Sequence, residues 1–406
     1  MDGFLTVGQP AAVTAVRGLL RERRAHAILL VGPPGVGKMS LALDLAAALL
    51  CERVADGLGP CRACRGCRMV AHGNHADLHL LAPAGSAGSV VIGGPEAQLR
   101  PGVRDLVADL SLLSVEGGAR VAIVREAHRM TDDAQNALLK TLEEPPDNTT
   151  LILCADDDEQ LLPTIRSRCA RVRLGTVDAR SIETLLDARG LADAPTAARL
   201  ARLTAGRVGL AVAYASAPEA VAIRAELVRR LLDLLSERPA GRLGSAKDLQ
   251  TRALALARLL TPPPPPQDTP APKSRGKAGA KPAPAAPAAQ PAEGDDAEEP
   301  ADAVAEPAAK ISAAERRLGL RTLIALWRDI ARDLVLVERG ARTTVRDVAL
   351  LEEYEAAVRM LPKGAAADAL ARLVRADELL DGNVTPELVL DTLLLHWPRR
   401  ADAGRR

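Results

Sequence analysis

Residues 27–39 read AILLVGPPGVGKM, and this stretch decides the fold of the N-terminal part of the chain. The first five residues are apolar, which is typical of a buried strand in a parallel sheet. They run into the pattern G-x-x-x-x-G-K, which forms a P-loop when it lies between a strand and a helix. Its glycines allow backbone N–H groups to face phosphate oxygens, and the start of the next helix adds its dipole. The stretch therefore predicts a parallel α/β domain whose candidate nucleotide-binding residues are Gly32, Gly35, Gly37 and Lys38.

The position after Lys38 departs from the P-loop pattern. A Ser or Thr there supplies the hydroxyl group that binds Mg²⁺, and this chain has Met39 instead. Ser40 cannot take over the role because one helical step rotates a side chain by about 100°. Lys38 is still able to pair with a phosphate. We therefore predict a retained P-loop scaffold on which ATP binding is weak or absent.

A second departure follows the apolar run VAIV at 121–124, which predicts another buried strand. In nucleotide-hydrolysing proteins such a strand ends in two acidic residues. The first supports Mg²⁺ and the second orients the attacking water. Here the two positions hold Arg125 and Glu126, so a cation stands in the place of the metal-supporting carboxylate. We predict a degenerate catalytic site.

The segment TIRSRC at 164–169 places Arg168 just before a further predicted strand at 170–174. An exposed and rigidly held arginine is suited to contact the phosphates bound by a neighbouring subunit. The alternative is a surface arginine in an ordinary salt bridge.

Four of the six cysteines lie close together in the sequence and match a closed tetrahedral zinc site of structural type; they are Cys51, Cys61, Cys64 and Cys67. Three nearby basic residues are expected to help keep the thiolates deprotonated, namely Arg62, Arg65 and Arg68. Three alternatives stay open. His72 or His75 replaces one ligand, the cysteines are free, or the C-x-x-C spacing has a redox role.

The composition excludes several classes of protein. The chain has 406 residues, enough for two or three domains, and an apolar content of 48% permits a substantial core. Aromatic residues make up 1%, so the core must consist of Leu, Val and Ala. The net charge of +1 gives no nucleic-acid signature. The sequence has neither an apolar run of about 18 residues nor a secretory leader, which predicts a cytoplasmic protein.

The motifs, taken in order, resemble the bacterial clamp-loader branch of the AAA+ ATPases. They are GPPGVGK, the cysteine spacing, NALLKTLEEPP at 136–146 and SRC at 167–169, and the resemblance covers about residues 5–215. Within this branch the chain resembles a subunit type without ATPase activity rather than the gamma/tau type. Met39 and Arg125 favour this choice, as does GNHAD at 73–77, which is similar to that type's Gly-x-His-Pro-Asp pattern with Ala76 in place of proline.

Two further positions agree with an inactive site. Active members of the branch have a polar residue after the strand at 151–154 that senses the γ-phosphate, and this chain continues Cys154-Ala155-Asp156 without Thr or Asn. Active members also have an arginine in the third helix of the lid, where this chain has Gly209. The resemblance implies that Arg168 acts in trans on the ATP of the adjacent subunit.

The predicted domain organisation rests on the periodicity of apolar residues and on the resemblance. We predict an AAA+ domain with a RecA-like parallel sheet at 1–176, including a zinc module at 51–67, and a lid of three helices at 177–217. An all-α domain follows at 218–261 and 311–400, and the resemblance identifies it as the collar. A Pro- and Ala-rich segment at 262–310 lacks branched apolar residues and predicts a disordered linker.

The resemblance implies a subunit of a hetero-pentamer with gamma/tau and delta clamp-loader subunits, which places the sliding clamp on primed DNA. The chain alone would not be a catalyst, but it would belong to the holoenzyme of a DNA-directed DNA polymerase, a nucleotidyltransferase complex at the bacterial replisome. Contact with a membrane is not expected. One alternative is an active gamma/tau-type ATPase. Another is a zinc-stabilised DNA-binding regulatory protein on an inactive P-loop scaffold, which the low net charge and scarce aromatic residues disfavour.

Overall fold

A computed structural model describes residues 3–22, 25–53, 59–84, 88–93, 101–116, 118–261, 311–381 and 384–400. The predicted linker at 262–310 lies outside the described residues.

A parallel sheet forms the centre of the N-terminal part. Within the described residues it has five strands in the order β2-β3-β4-β1-β5. The strands are β1 (Ala27–Val31), β2 (Leu78–Leu81), β3 (Arg120–Val124), β4 (Thr149–Ala155) and β5 (Ala170–Arg173). The register pairs Val31 with Ala155 and Val124 with Leu153, so the carboxyl ends of β1, β3 and β4 meet at one edge. This edge receives the P-loop, and the predicted α/β P-loop fold is confirmed.

Helices cover both faces of the sheet. They are α1 (Pro10–Glu22), α2 (Lys38–Leu49), α3 (Arg65–Ala71), α4 (Val103–Ser111), α5 (Asp132–Glu143) and α6 (Pro163–Arg168). Side chains of a strand alternate between faces, so Leu30 packs with Leu41 under α2, whereas Leu29 packs with Leu138 under α5. Both faces are apolar, as the continuous apolar strands predicted.

The described chain after β5 is mainly helical. The helices are α7 (Ala179–Ala188), α8 (Ala194–Thr204), α9 (Val208–Ser216), α10 (Pro218–Asp233), α11 (Pro239–Gly244), α12 (Ala246–Leu260), α13 (Ala313–Glu338), α14 (Leu351–Met360), α15 (Ala365–Asp381) and α16 (Pro386–His396). One hydrophobic cluster extends from Val177 to Trp397. Trp327 is fully buried in it, with its ring centroid 5.2 Å from that of Trp397. Helices α7, α8 and α9 therefore share a core with the helices that follow them.

Helices α12 and α13 pack as an antiparallel pair. A Cβ atom at Gly319 would lie 3.1 Å from Cβ of Leu254. One turn nearer the connection, Arg258 Nη2 donates to Glu315 Oε1 over 2.5 Å. The chain therefore leaves α12 and re-enters α13 at neighbouring points. Among the helices of the described residues, none combines the length and the apolar character that a bilayer span requires.

Candidate functional site

The P-loop lies where β1 passes into α2. Gly35 and Gly37 have φ angles of 79° and 106°, in the left-handed region that glycine adopts without strain. Gly32 must also lack a side chain, because a Cβ atom there would lie 2.2 Å from the carbonyl oxygen of Leu174. The structure thus brings the predicted loop residues together around the amino end of α2.

Lys38 is buried, and its ammonium group is directed back into the loop. It donates to the carbonyl oxygens of Gly32 at 2.5 Å and Pro33 at 2.8 Å, and to Oδ1 of Asp156 at 2.6 Å. An ammonium group has three N–H donors, and three acceptors therefore satisfy it completely. Asp156 directly follows β4, the neighbour of β1.

His128 completes this cluster from a third segment. Its Nδ1 accepts the backbone N–H of Asp156 over 3.1 Å, and its Nε2 lies 3.7 Å from Oδ2 of the same residue. Burial lowers the pKa of His128, which outweighs the opposite effect of the Asp156 carboxylate. The neutral ring can then use Nδ1 as an acceptor. Sequence reasoning noted Asp156 only as a missing Thr or Asn and did not single out His128.

The positions that would bind Mg²⁺ hold no suitable ligand. Met39 packs against the apolar cluster beneath α2, and Ser40 is exposed. Arg125 is exposed at the end of β3. Glu126 has a φ angle of 49°, and its Oε2 lies 3.2 Å from Nη1 of Arg129. Neither Met39 nor Arg125 can therefore supply an oxygen to the metal.

Helix α9 contacts the P-loop directly. The backbone N–H of Gly209 donates to the carbonyl oxygen of Gly35 over 2.9 Å. Just before it, Arg207 is ion-paired with Asp329 of α13 at 3.1 Å. A cavity of about 410 Å³ adjoins this contact, lined by residues that include Leu5, Val7, Gly37, Ser40, Val208 and Leu260. A hydrogen bond and an ion pair thus connect the P-loop, the start of α9 and α13.

Arg168 is the last residue of α6, and its side chain is 35% exposed. Its guanidinium group donates to the carbonyl oxygen of Thr164 at 3.0 Å and to Glu143 Oε1 at 2.7 Å. Buried Gln135 fixes the start of the helix, because its Oε1 accepts the N–H of Leu162 over 2.8 Å. Arg168 is therefore oriented at the surface and lies in a salt bridge, which agrees with both interpretations of this residue.

The four predicted cysteines converge. The sulfur atoms of Cys51, Cys61, Cys64 and Cys67 all lie within 4.8 Å of one another. The Sγ atoms of Cys51 and Cys64 are 3.9 Å apart, and those of Cys61 and Cys67 are 4.0 Å apart. Bonds of about 2.3 Å from a tetrahedral zinc ion place sulfur atoms about 3.8 Å apart, so the cluster can bind a metal ion of this kind.

Backbone N–H groups support the thiolates. The Sγ atom of Cys61 accepts the N–H of Cys64 over 3.3 Å, and the Sγ atom of Cys64 accepts the N–H of Cys67 over 3.3 Å. Hydrogen bonds from the backbone of Ala63 and Cys64 lower the pKa of Cys61 to about 6, whereas burial raises the pKa of Cys51 and Cys67.

The guanidinium groups of the nearby arginines make their hydrogen bonds to groups other than the cysteine sulfur atoms, and their expected effect on the thiolates stays a prediction. The guanidinium group of Arg62 binds Asp44 and the carbonyl oxygen of Gly3, that of Arg65 binds Glu116, and that of Arg68 binds the carbonyl oxygen of Ala63. These arginines fasten the module to its surroundings. The group of converging ligand atoms comprises the four cysteines without His75, whose Nδ1 accepts the N–H of Asp77 and whose Nε2 lies 3.6 Å from Oε2 of Glu116.

Two buried carboxylates hold the surrounding loops. Asp77, from the GNHAD segment, accepts the backbone N–H groups of Val115 at 2.8 Å and Glu116 at 3.1 Å. Asp44 of α2 accepts from the backbone of Leu5 and Thr6 and pairs with Arg62. Sequence reasoning missed Asp44, because no motif marks an acidic residue within an apolar helix.

The N-terminal part of the chain is similar to known proteins. Residues 8–178 match the model of a family described as DNA polymerase III, delta subunit. The delta' subunit of DNA polymerase III from Pseudomonas aeruginosa is 40% identical over 179 residues, which are 44% of this chain and 51% of that protein. The delta' subunit of Bacillus subtilis is 33% identical over 218 residues, which are 54% of this chain and 62% of that protein.

The tau subunit of Escherichia coli DNA polymerase III is 34% identical over 199 residues, which are 48% of this chain and 29% of that protein. The chain thus spans between half and two thirds of the length of the two delta' relatives. Over residues 8–178, this chain has a P-loop α/β fold and matches that family's model, and it is similar there to the delta' subunits of DNA polymerase III.

Proposed function

We propose that the chain is the delta-prime subunit of a DNA polymerase III clamp loader. In this role it joins gamma/tau and delta subunits in a hetero-pentamer that loads the sliding clamp onto primed DNA in the bacterial cytoplasm, at the replisome. The chain does not hydrolyse ATP itself. Arg168 instead contacts the ATP of the neighbouring subunit as an arginine finger.

The observation that carries this proposal is the contrast between two sites on one domain. Its own P-loop lacks oxygen ligands at Met39 and Arg125, and its lysine is fully engaged by protein acceptors. Arg168, by contrast, is held at the surface by Glu143 and by the carbonyl oxygen of Thr164. Phosphates on a neighbour can exchange with one exposed carboxylate at little cost, since such surface pairs contribute roughly 0–1 kcal/mol.

The division into domains also belongs to the proposal. Residues 1–176 would form the AAA+ domain, 177–217 the lid, and 218–261 with 311–400 the collar. Zinc is the metal that the cysteine cluster favours, because a set of four thiolates is typical of structural zinc sites. Such a set leaves no coordination position for substrate, so zinc would have a structural role.

The test is ATP turnover by a reconstituted clamp loader with clamp and primed DNA, comparing the wild type with Arg168→Ala. We expect a loss of roughly 10³-fold or more, the scale of arginine fingers in other systems. Arg171→Ala is the matched control, because Arg171 is 37% exposed and pairs with Asp158 at 3.0 Å. This control should retain turnover.

Stability and assembly are measured on the same variants. Arg168→Ala should change the free energy of unfolding by less than about 1 kcal/mol, because its salt bridge is largely exposed. Unchanged turnover in the complex would contradict the finger. Turnover by the isolated chain, abolished by Lys38→Ala, would support the gamma/tau-type ATPase instead.

A further inference from the structure

The acceptors around Lys38 include one that a P-loop does not provide by itself. Two are carbonyl oxygens of the loop, and the third is the carboxylate of Asp156, which is 118 residues away in the sequence. A P-loop lysine normally directs its charge at the phosphates of the nucleotide. In this chain a carboxylate oxygen lies 2.6 Å from the same nitrogen atom.

Asp156 is also fixed from its own side. Its backbone N–H donates to Nδ1 of His128 over 3.1 Å, and it directly follows β4 in the centre of the sheet. The side chain of Lys38 is 9% exposed and that of Asp156 is 33% exposed. The pair is therefore partly shielded from water, where an ion pair is stronger than at an exposed surface.

We propose that Asp156 acts as an internal anion that occupies Lys38 and keeps nucleotide phosphates out of the P-loop. The inference rests on the proposed function, in which this P-loop takes no part in hydrolysis. It deepens that function by naming the residue that excludes the ligand.

The physical reason is competition between like charges. A phosphate that approached Lys38 would have to displace the carboxylate or lie beside it. Displacement breaks a charge-assisted hydrogen bond, and coexistence places two anions near one cation. The glycines still have the backbone conformation of an anion-binding loop, and the cavity of about 410 Å³ beside Gly37 has room for a nucleoside. Removing the carboxylate charge should therefore restore binding without any new contact.

The test measures binding of a fluorescent ADP analogue and of inorganic pyrophosphate to the full chain, without added Mg²⁺. Chelators are omitted so that the cysteine cluster keeps its metal. Asp156→Asn preserves the shape of the side chain and removes its charge. We expect it to bind both probes at least about tenfold more tightly than the wild type. The double variant Asp156→Asn/Lys38→Met should lose this gain.

Asp157→Asn is the matched control. Asp157 is the exposed neighbour, and its Oδ1 accepts the N–H of Glu159 over 2.9 Å, so the substitution makes the same change in net charge one residue away. It should bind like the wild type. A second readout is acetylation of Lys38, followed by mass spectrometry, which should increase several-fold in Asp156→Asn if the ammonium group is released.

Three results would overturn the proposal. The first is tight binding of either probe by the wild type. The second is a folded Asp156→Asn variant that binds the probes no better than the wild type and whose Lys38 is acetylated to the same extent. The third is a gain in binding that persists in the double variant Asp156→Asn/Lys38→Met. None of them affects the role of Arg168 in the complex. Conversely, if Arg168→Ala left the turnover of the complex unchanged, the accessibility of Lys38 could still be measured on the isolated chain.

Discussion

Asp44 shows what a single buried carboxylate contributes to this chain. It is 2% exposed and lies on α2, the helix that begins at the P-loop. Its oxygens accept from the backbone of Leu5 and Thr6 and from the guanidinium group of Arg62. One residue therefore connects the N-terminal segment, the P-loop helix and the cysteine module.

We predict that Asp44→Ala lowers the free energy of unfolding by about 3 kcal/mol, because it leaves buried donors and a charged partner without an acceptor. Asp187→Asn, at an exposed position, is the control and should change stability by less than about 0.5 kcal/mol. Thermal melting of both variants checks this. Equal melting temperatures would show that water replaces the carboxylate.

At the scale of elements, the turn between α8 and α9 packs against the segment that follows β5. Gly206 in this turn has a φ angle of 83°, and its carbonyl oxygen accepts the N–H of Val177 over 3.0 Å. A Cβ atom at Gly206 would lie 2.5 Å from Cβ of Thr176. Gly190, between α7 and α8, has a φ angle of 62° but nothing within 4 Å of such an atom.

This pair of glycines separates backbone strain from steric overlap. We predict that Gly190→Ala costs about 1 kcal/mol through its left-handed conformation alone. Gly206→Ala should cost at least about twice as much, because overlap with Thr176 adds to the same strain. Denaturant unfolding of both variants measures the difference. Equal losses would mean that the turn at Gly206 relaxes freely.

The contact between α12 and α13 predicts that the stability of the protein depends on pH. The hydrogen bond from Arg258, aided by Ser312, lowers the pKa of Glu315 from its ordinary value to about 2. A lowered carboxyl pKa gives stability that is present above the ordinary value of about 4.5 and is lost as the pH falls towards 2. The difference in melting temperature between the wild type and Glu315→Gln should therefore be constant above about pH 5 and shrink below it. A difference independent of pH would contradict this assignment.

At the scale of the whole molecule, the six cysteines divide into two classes. Four form the cluster that could hold a metal ion. Of the other two, Cys154 lies in β4 and Cys169 directly precedes β5, and burial raises the pKa of each to about 12. The thiolate is the reactive form, so these two should stay inert in the folded chain.

We predict that a thiol reagent at pH 8 labels none of the six cysteines rapidly in the metal-loaded protein. After removal of the metal by a chelator it should label Cys61 first, because backbone hydrogen bonds lower the pKa of this thiol. All six should react after unfolding. Metal analysis before and after chelation identifies the ion, and the melting temperature should fall because the cluster fastens Cys61, Cys64 and Cys67 to Cys51, close to the end of α2. Rapid labelling of Cys61 in metal-replete protein would argue against a bound ion.

The features of the fold and of the site that sequence predicts are those whose interacting residues lie close together along the chain. The strand at β1, the glycines of the P-loop and the cysteine cluster were predictable, because each signal lies in neighbouring residues or in a fixed spacing. The ion pair of Lys38 with Asp156 spans 118 residues, and the buried pair of Arg224 with Asp347 spans 123. No periodicity links such partners, because only the folded chain brings them together.

The antiparallel packing of α12 and α13 has a further consequence for engineering. Arg258 and Glu315 are in contact near the end of α12 and the start of α13, so the points at which the connection leaves and re-enters the described chain lie close together. The entropy of closing a loop grows slowly, by about 0.6 kcal/mol for each doubling of its length. This junction is therefore a suitable place to graft a fluorescent or affinity domain without disturbing the P-loop or Arg168.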